Sequence, residues 1–229
     1  MGALSEGAVQ PLALCAALWL ALFEYQRRAP RTTDAARFVL GLGLGALLAH
    51  LGWALLHASA LRLQPAALFE LRSGFSILFV PLGPLLVAPW RAGRRRAWSF
   101  AGTALGCLPL AFCAARVGCL VAGCCHGTPT TLPWGLVRGE AGIGVHPTPL
   151  YEMAGWLLLH ASTRRVRASR VAPLALVGFG LVRLAVAPWR AEPPLGAPDI
   201  SPSALAAGWL VLGVLSLAST RSGEGQGGV

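Results

Sequence analysis

The sequence predicts an all-α, polytopic membrane protein, and three observations carry that prediction. The 229-residue chain is 55% hydrophobic and only 12% charged, about half the charged fraction of an ordinary soluble domain. Its apolar residues gather into runs near the length of about twenty needed to cross roughly 30 Å of hydrocarbon. Its cations, 19 in all and every one an arginine, fall mostly between those runs. A net charge of +10 in that distribution reads as an orientation signal rather than a nucleic-acid surface. The expectation is a single integral membrane domain, residues 1–221, with a disordered Gly-rich cytoplasmic tail, 222–229.

Seven runs are long or apolar enough to be taken as spans: near 8–26, 37–58, 74–90, 100–122, 149–162, 171–189 and 202–219. The first has no arginine before it and Arg27, Arg28 and Arg31 after it, the reverse of a signal peptide. It is therefore read as a mature helix. The third contains Pro81 and Pro84 and is expected to be broken, which membranes tolerate where protein surrounds the backbone. The fifth is short.

Loop charge then orients the chain. Arg27, Arg28, Arg31 and Arg37 follow the first span, Arg91, Arg94, Arg95 and Arg96 the third, and Arg164, Arg165, Arg167 and Arg170 the fifth. The alternate loops are near neutral, with Arg62 and Arg72 against Glu70, Arg138 against Glu140, and Arg190 against Glu192 and Asp199. An extracytoplasmic N-terminus and a cytoplasmic C-terminus follow from that alternation.

Between the fourth and fifth runs lies the least lipid-like stretch, Arg116 to Glu152. Arg116 and Arg183 fall within spans, where an ionisable side chain is costly and points to function. Two guanidinium groups from different helices suit an anionic phosphate. Snorkelling, or pairing with Glu152, is the structural alternative for both and for Arg190 at the boundary. His50 and His57 lie two turns apart around Trp53, too far for one metal ion; they either line a polar cavity or are structural. His160 reads as interfacial. Cys119, Cys124 and Cys125 with His126 could ligate zinc or copper, form a disulfide or line a polar site. Cys107 and Cys113 read as small hydrophobes in a helix. A transporter is disfavoured, since Glu24 and Glu152 lie at span ends rather than at the midplane.

Three blocks carry a family likeness. The first is Ala115-Arg116-Val117-Gly118-Cys119, then Ala122-Gly123-Cys124, then Gly127-Thr128-Pro129-Thr130 and Leu132-Pro133-Trp134-Gly135. The second is His146-Pro147-Thr148-Pro149-Leu150-Tyr151-Glu152, and the third Gly178-Phe179-Gly180-Leu181-Val182-Arg183 followed by Arg190. A weaker block is His50-Leu51-Gly52-Trp53. In order and spacing these resemble the prolipoprotein diacylglyceryl transferases of the bacterial inner membrane. Where that family keeps Asn and Glu, this chain has Cys119 and Cys124; Ala187 replaces a Glu, and Ile77–Val80 occupies the place of a His-Gly-Gly block.

The resemblance implies a seven-span, multi-pass enzyme of the inner membrane that needs no cofactor. It would transfer diacylglycerol from phosphatidylglycerol to the lipobox cysteine thiol of a prolipoprotein signal peptide. It assigns Arg116 and Arg183 to the phosphate, and Gly118, Gly123, Gly127, Tyr151, Glu152, Arg190 and His50 to substrate binding. With Leu78 in the place of the family's histidine, His126 or His146 is the expected base. The other reading is a redirected paralogue that binds an anionic lipid, a metal or a thiol ligand through Cys119, Cys124, Cys125 and His126.

Overall fold

A computed structural model describes residues 6–29, 34–63, 65–66, 75–89, 94–138, 142–191 and 198–225. Glu70, Arg72, Gly74, Glu140 and Glu192 lie outside these, as do tail residues 226–229. The helices are α1 (Glu6–Arg28), α2 (Ala35–Leu56), α3 (Ala58–Leu63), α4 (Leu82–Val87), α5 (Arg94–Val121), α6 (Thr148–Arg164), α7 (Ala168–Val186) and α8 (Pro202–Gly225). Short 3-10 turns at Ile77–Phe79 and Ala187–Trp189 precede α4 and follow α7.

The chain is a helical, multi-pass membrane protein. Among the described residues four segments are long and apolar enough to cross a bilayer: Ala35–Leu56, Arg96–Val121, Ser169–Trp189 and Pro202–Ser219. Their outward side chains, such as Leu215 at 62% exposure, would form an aggregating patch in water. Against lipid tails they are at home. The other three expected segments are less clear-cut: α1 carries Glu24, Arg27 and Arg28 at its end, α6 has 17 residues, and the third run is broken.

α5 is the central helix, packed against α1, α6 and α7, with α8 on the far side of α7. Phe112 of α5, Trp156 of α6 and Phe179 of α7 meet with ring centroids 5.2–5.6 Å apart and their planes tilted, within the separation at which aromatic pairs attract. Cys107 and Cys113 are buried in this core, and the Cys107 thiol donates back to the Thr103 carbonyl.

The expected break in the third run is observed between the turn Ile77–Phe79 and α4, at Val80–Pro81. Its freed polar groups find partners, as buried backbone must. Trp209 Nε1 donates to the Leu78 carbonyl (2.8 Å) and Arg37 Nη2 to that of Ala88 (2.6 Å). α4 lies so close on α2 that a Cβ at Gly83 would stand 2.1 Å from the Gly41 carbonyl oxygen. That is the small-residue contact by which helices associate in membranes.

The helices are joined by one small two-stranded antiparallel hairpin, β1 (Leu136–Arg138) with β2 (Ile143–Val145), in register Val137 with Gly144. Residues 127–138 cannot continue a helix through their Gly and Pro, so their backbone groups pair with neighbouring extended segments instead. α8 runs past the apolar stretch to Gly225.

Candidate functional site

One end of the bundle gathers the C-terminal parts of α5 and α7, the N-terminal turn of α6 and the loop between α5 and α6. α5 stops in a Schellman arrangement. The Cys124 amide donates to the Cys119 carbonyl and the Gly123 amide to that of Leu120, with Gly123 at φ 70°. Cys125 follows with φ 58°, a left-handed conformation that a side chain rarely adopts. Thr148 Oγ1 donates to the Cys125 carbonyl at 2.5 Å, fixing that turn to the start of α6.

The chain then runs extended and is stitched to two other segments. Gly127 donates to the His146 carbonyl (2.8 Å), His146 to that of Thr128 (3.0 Å), Thr128 to that of Trp189 (2.9 Å) and Thr130 to that of Gly144 (2.8 Å). Gly127 is needed here, since a Cβ would stand 2.2 Å from the Trp189 carbonyl oxygen and 2.6 Å from the His146 Cβ. All three sequence blocks therefore meet at one place.

At its centre Glu152 is fully buried, at 0% exposure. Its Oε2 accepts from Arg116 Nε (2.5 Å), and its Oε1 accepts from both Arg183 Nη1 and Arg190 Nη1 (2.7 Å each). Charge-assisted bonds of this kind offset part of the cost of removing the ions from water. One carboxylate cannot neutralise three guanidinium groups, which stay protonated. The cluster keeps a net charge of +2, with Arg116 and Arg183 side chains at 11% and 10% exposure and Arg190 at 29%.

Beside it, Arg116 Nη1 lies 3.5 Å from Cys119 Sγ. The Cys119, Cys124 and Cys125 sulfurs lie within 4.8 Å of one another. The Cys125 thiol is held below its ordinary pKa. Hydrogen bonds from the Cys119 and Cys124 thiols are the chief cause, and Arg116 and Arg190 assist against the opposing effect of burial.

An aromatic group flanks the cluster. The Tyr151 hydroxyl accepts from Trp134 Nε1 (2.9 Å) and lies 3.3 Å from His146 Nδ1. The Trp189 ring sits 6.0 Å from that of His146 and 5.7 Å from that of Tyr151.

The structure therefore brings together Arg116, Arg183, Arg190, Glu152, Gly127, His146, Tyr151 and the three cysteines. Other sequence-predicted residues have different places. Gly118 is a packing position, where a Cβ would stand 2.3 Å from the Ala13 Cβ of α1, and Gly123 serves the helix cap. His126 is exposed, with Nδ1 3.2 Å from the Gly127 carbonyl oxygen, and is not among the groups placed to hold a metal ion. His50 stacks with Trp53 and Phe75. His57 Nδ1 is 3.0 Å from the Trp53 carbonyl oxygen. Thr148 and Trp189 were missed by sequence reasoning. Thr148 lies inside the second block, but nothing marked its hydroxyl as the anchor of Cys125.

The family model for "prolipoprotein diacylglyceryl transferase" matches residues 7–220. Three relatives carry the name phosphatidylglycerol–prolipoprotein diacylglyceryl transferase. The one from Methylococcus capsulatus is 32% identical over 71% of this chain and 64% of its own length. That from Cupriavidus metallidurans is 30% identical over 63% and 57%, and that from Zymomonas mobilis 28% identical over 80% and 72%. The chain thus spans less than two thirds of the length of the first two.

Proposed function

The chain belongs to the prolipoprotein diacylglyceryl transferase family, and from that premise we propose that it transfers diacylglycerol from phosphatidylglycerol to a cysteine thiol. The acceptor is the lipobox cysteine of a prolipoprotein signal peptide, the product a thioether, and the leaving group glycerol phosphate. One observation carries the reading. A buried cluster keeps a net charge of +2 beside a loop built from three segments of the chain. A singly charged phosphodiester is the kind of ligand that such an excess binds.

Arg116, Arg183 and Arg190 would hold the lipid phosphate and take up the charge that grows on its oxygen as the C–O bond breaks. Glu152 orients all three, so their dipoles need little reorganisation at that moment. Of the two candidate bases, His146 is the better supported. It sits between Tyr151 and Trp189 next to the cluster, whereas His126 is exposed. We place the protein in the bacterial inner membrane with seven spans, the N-terminus and this site outside and the C-terminus in the cytoplasm. The arginine-rich loops support that orientation.

The test is complementation. In cells depleted of their own transferase, the protein should restore lipidation of a prolipoprotein, read as a gel shift. Arg116→Ala and Arg183→Ala should abolish it, and His146→Ala should reduce it far more than His126→Ala. A stably inserted protein that restores no modification sinks the reading.

A further inference from the structure

We propose that Cys119, Cys124 and Cys125 form a three-thiolate site for a zinc-class metal ion, with a fourth position open to the thiol that is to be alkylated. The second half rests on the transferase reading; the first does not.

The molecule supplies its own control. Cys107 and Cys113 are packed in the core as small hydrophobes, and Cys107 satisfies its S–H on the backbone. The other three behave differently. Their sulfurs converge to within 4.8 Å of one another, through two successive departures from ordinary backbone, at Gly123 and Cys125. The second falls on a residue with a side chain, a conformation that persists where surroundings enforce it. Thr148 Oγ1 on the Cys125 carbonyl is such an enforcement. A turn needed only to leave the helix would end at the Gly123 cap.

Sulfur ligands about 2.3 Å from a tetrahedral ion stand about 3.8 Å apart. The observed sulfurs, within 4.8 Å of one another, stand near that spacing. A ligand set made only of thiolates selects zinc or another soft to borderline ion over magnesium, calcium or manganese. Three thiolates and a divalent ion together carry −1, placed against a cluster with an excess of +2. Arg116 Nη1 already contacts Cys119 Sγ at 3.5 Å.

Three protein ligands with an open position are the pattern of catalytic rather than structural zinc sites. His126, the sequence's candidate fourth ligand, is exposed and outside the group. Cys119, Cys124 and Cys125 would hold such an ion, which would supply Lewis-acid lowering of the acceptor thiol's pKa, with His146 as the group that takes the proton. The acceptor sulfur's electron pair then forms the C–S bond to the glycerol carbon that carries phosphate. The C–O bond breaks, its electron pair stays on the phosphate oxygen, and glycerol phosphate departs on the arginines.

The experiment uses the purified full chain in detergent with reduced thiols, loaded with Zn²⁺ alone and then freed of unbound metal. Retention of about one ion per chain, lost in Cys119→Ser and Cys125→Ser but kept in Cys107→Ser, is expected. Zinc should also shield three cysteines of the wild-type protein from maleimide, a readout that needs no variant. No retained zinc, or equal retention by Cys119→Ser, overturns the site. With Co²⁺ in place of zinc, a lipobox peptide containing cysteine should alter the thiolate-to-metal absorption, and the same peptide with serine should not. An unchanged spectrum overturns the open-position role. A metal-loaded protein that transfers no lipid would count against the transferase reading and leave the metal site standing.

Discussion

Each end of the bundle buries a carboxylate, and the two are satisfied in opposite ways. Glu24 of α1, 2% exposed, meets one arginine, Arg28, one turn away at 2.9 Å. His160 of α6 stands 3.9 Å off, and Arg28 Nη2 reaches Thr163 Oγ1 at 3.3 Å. This pair is neutral in itself and ties α1 to α6. A recess of about 310 Å³ lies beside it, lined by Arg27, Ser99, Thr103 and Arg164 among others, so its cation has a route to water. Glu152, at the other end, meets three arginines from two segments and is left far short of neutralising them. A one-to-one pair holds helices together. A three-to-one cluster arranges cations for something else that is negative, and the loop blocks converge on the second kind only.

The largest effect should come from removing the carboxylate at the three-to-one end. Glu152→Gln keeps the shape but leaves three buried guanidinium groups facing an amide. Breaking a buried pair by removing one partner costs about 3–5 kcal/mol, and here one removal strips three partners. Thermal unfolding of the purified protein in detergent should show a large drop, or the variant should fail to accumulate. An unfolding midpoint equal to wild type would mean that the arginines are solvated and that the cluster does not fix this end.

Arg183→Ala tests the excess of charge itself. Glu152 keeps Arg116 and Arg190, so the cluster falls to +1 without orphaning the carboxylate. Stability should change little in comparison with Glu152→Gln. Transfer activity should fall by about 10²–10³, the usual effect of removing one preorganised donor to a developing oxyanion. A parallel loss of stability and activity would make the cluster a structural device like its counterpart at the other end.

The sequence made the one-to-one end easier to read than it was made to look. Glu24 and Arg28 stand four residues apart on a helix, the spacing at which opposite charges meet. The three-to-one end was legible in its members, and pairing with Glu152 stood among the alternatives for each arginine, but not as one cluster that holds all three at once. Arg116, Arg183 and Arg190 stood out as cations in apolar surroundings. That all three fall on Glu152 depends on how α5, α6 and α7 pack, which periodicity does not encode. The apolar cores of α2, α5, α7 and α8 were plain from hydropathy, and Pro81 and Pro84 gave the break before α4. The hairpin β1–β2 was not, because strands of three residues are too short for alternation to show. Gly118 illustrates the remaining ambiguity: a glycine for close helix approach and a glycine for ligand approach look alike in sequence.

Glu24→Gln should be milder than Glu152→Gln. It strands a single arginine whose side chain is 15% exposed and which borders the recess. The expected cost is about 1–2 kcal/mol, between the values for surface pairs and for fully buried ones. A cost equal to that of Glu152→Gln would erase the distinction between the two ends.

The smallest effect belongs to a carboxylate with no burial at all. Asp199 Oδ2 accepts from the Ser59 amide at 2.8 Å, and hydrogen bonds with the Ser59 side chain first and its amide second hold the Asp199 pKa below the ordinary 3.8. A depressed carboxylate stabilises the fold fully above its unfolded value, and that contribution fades as pH falls through the folded one. The link between α3 and the segment leading into α8 should therefore be intact at neutral pH and loosen only below the ordinary aspartate range. Hydrogen exchange at the Ser59 amide, followed down the pH scale with acid-catalysed exchange corrected for, should show protection lost there. In Asp199→Asn the Ser59 amide should lose this pH dependence, while the unfolding midpoint at neutral pH shifts less than in Glu24→Gln. Because water screens the group completely, a large shift would mean that this loop is held by a buried contact and not by an exposed charge.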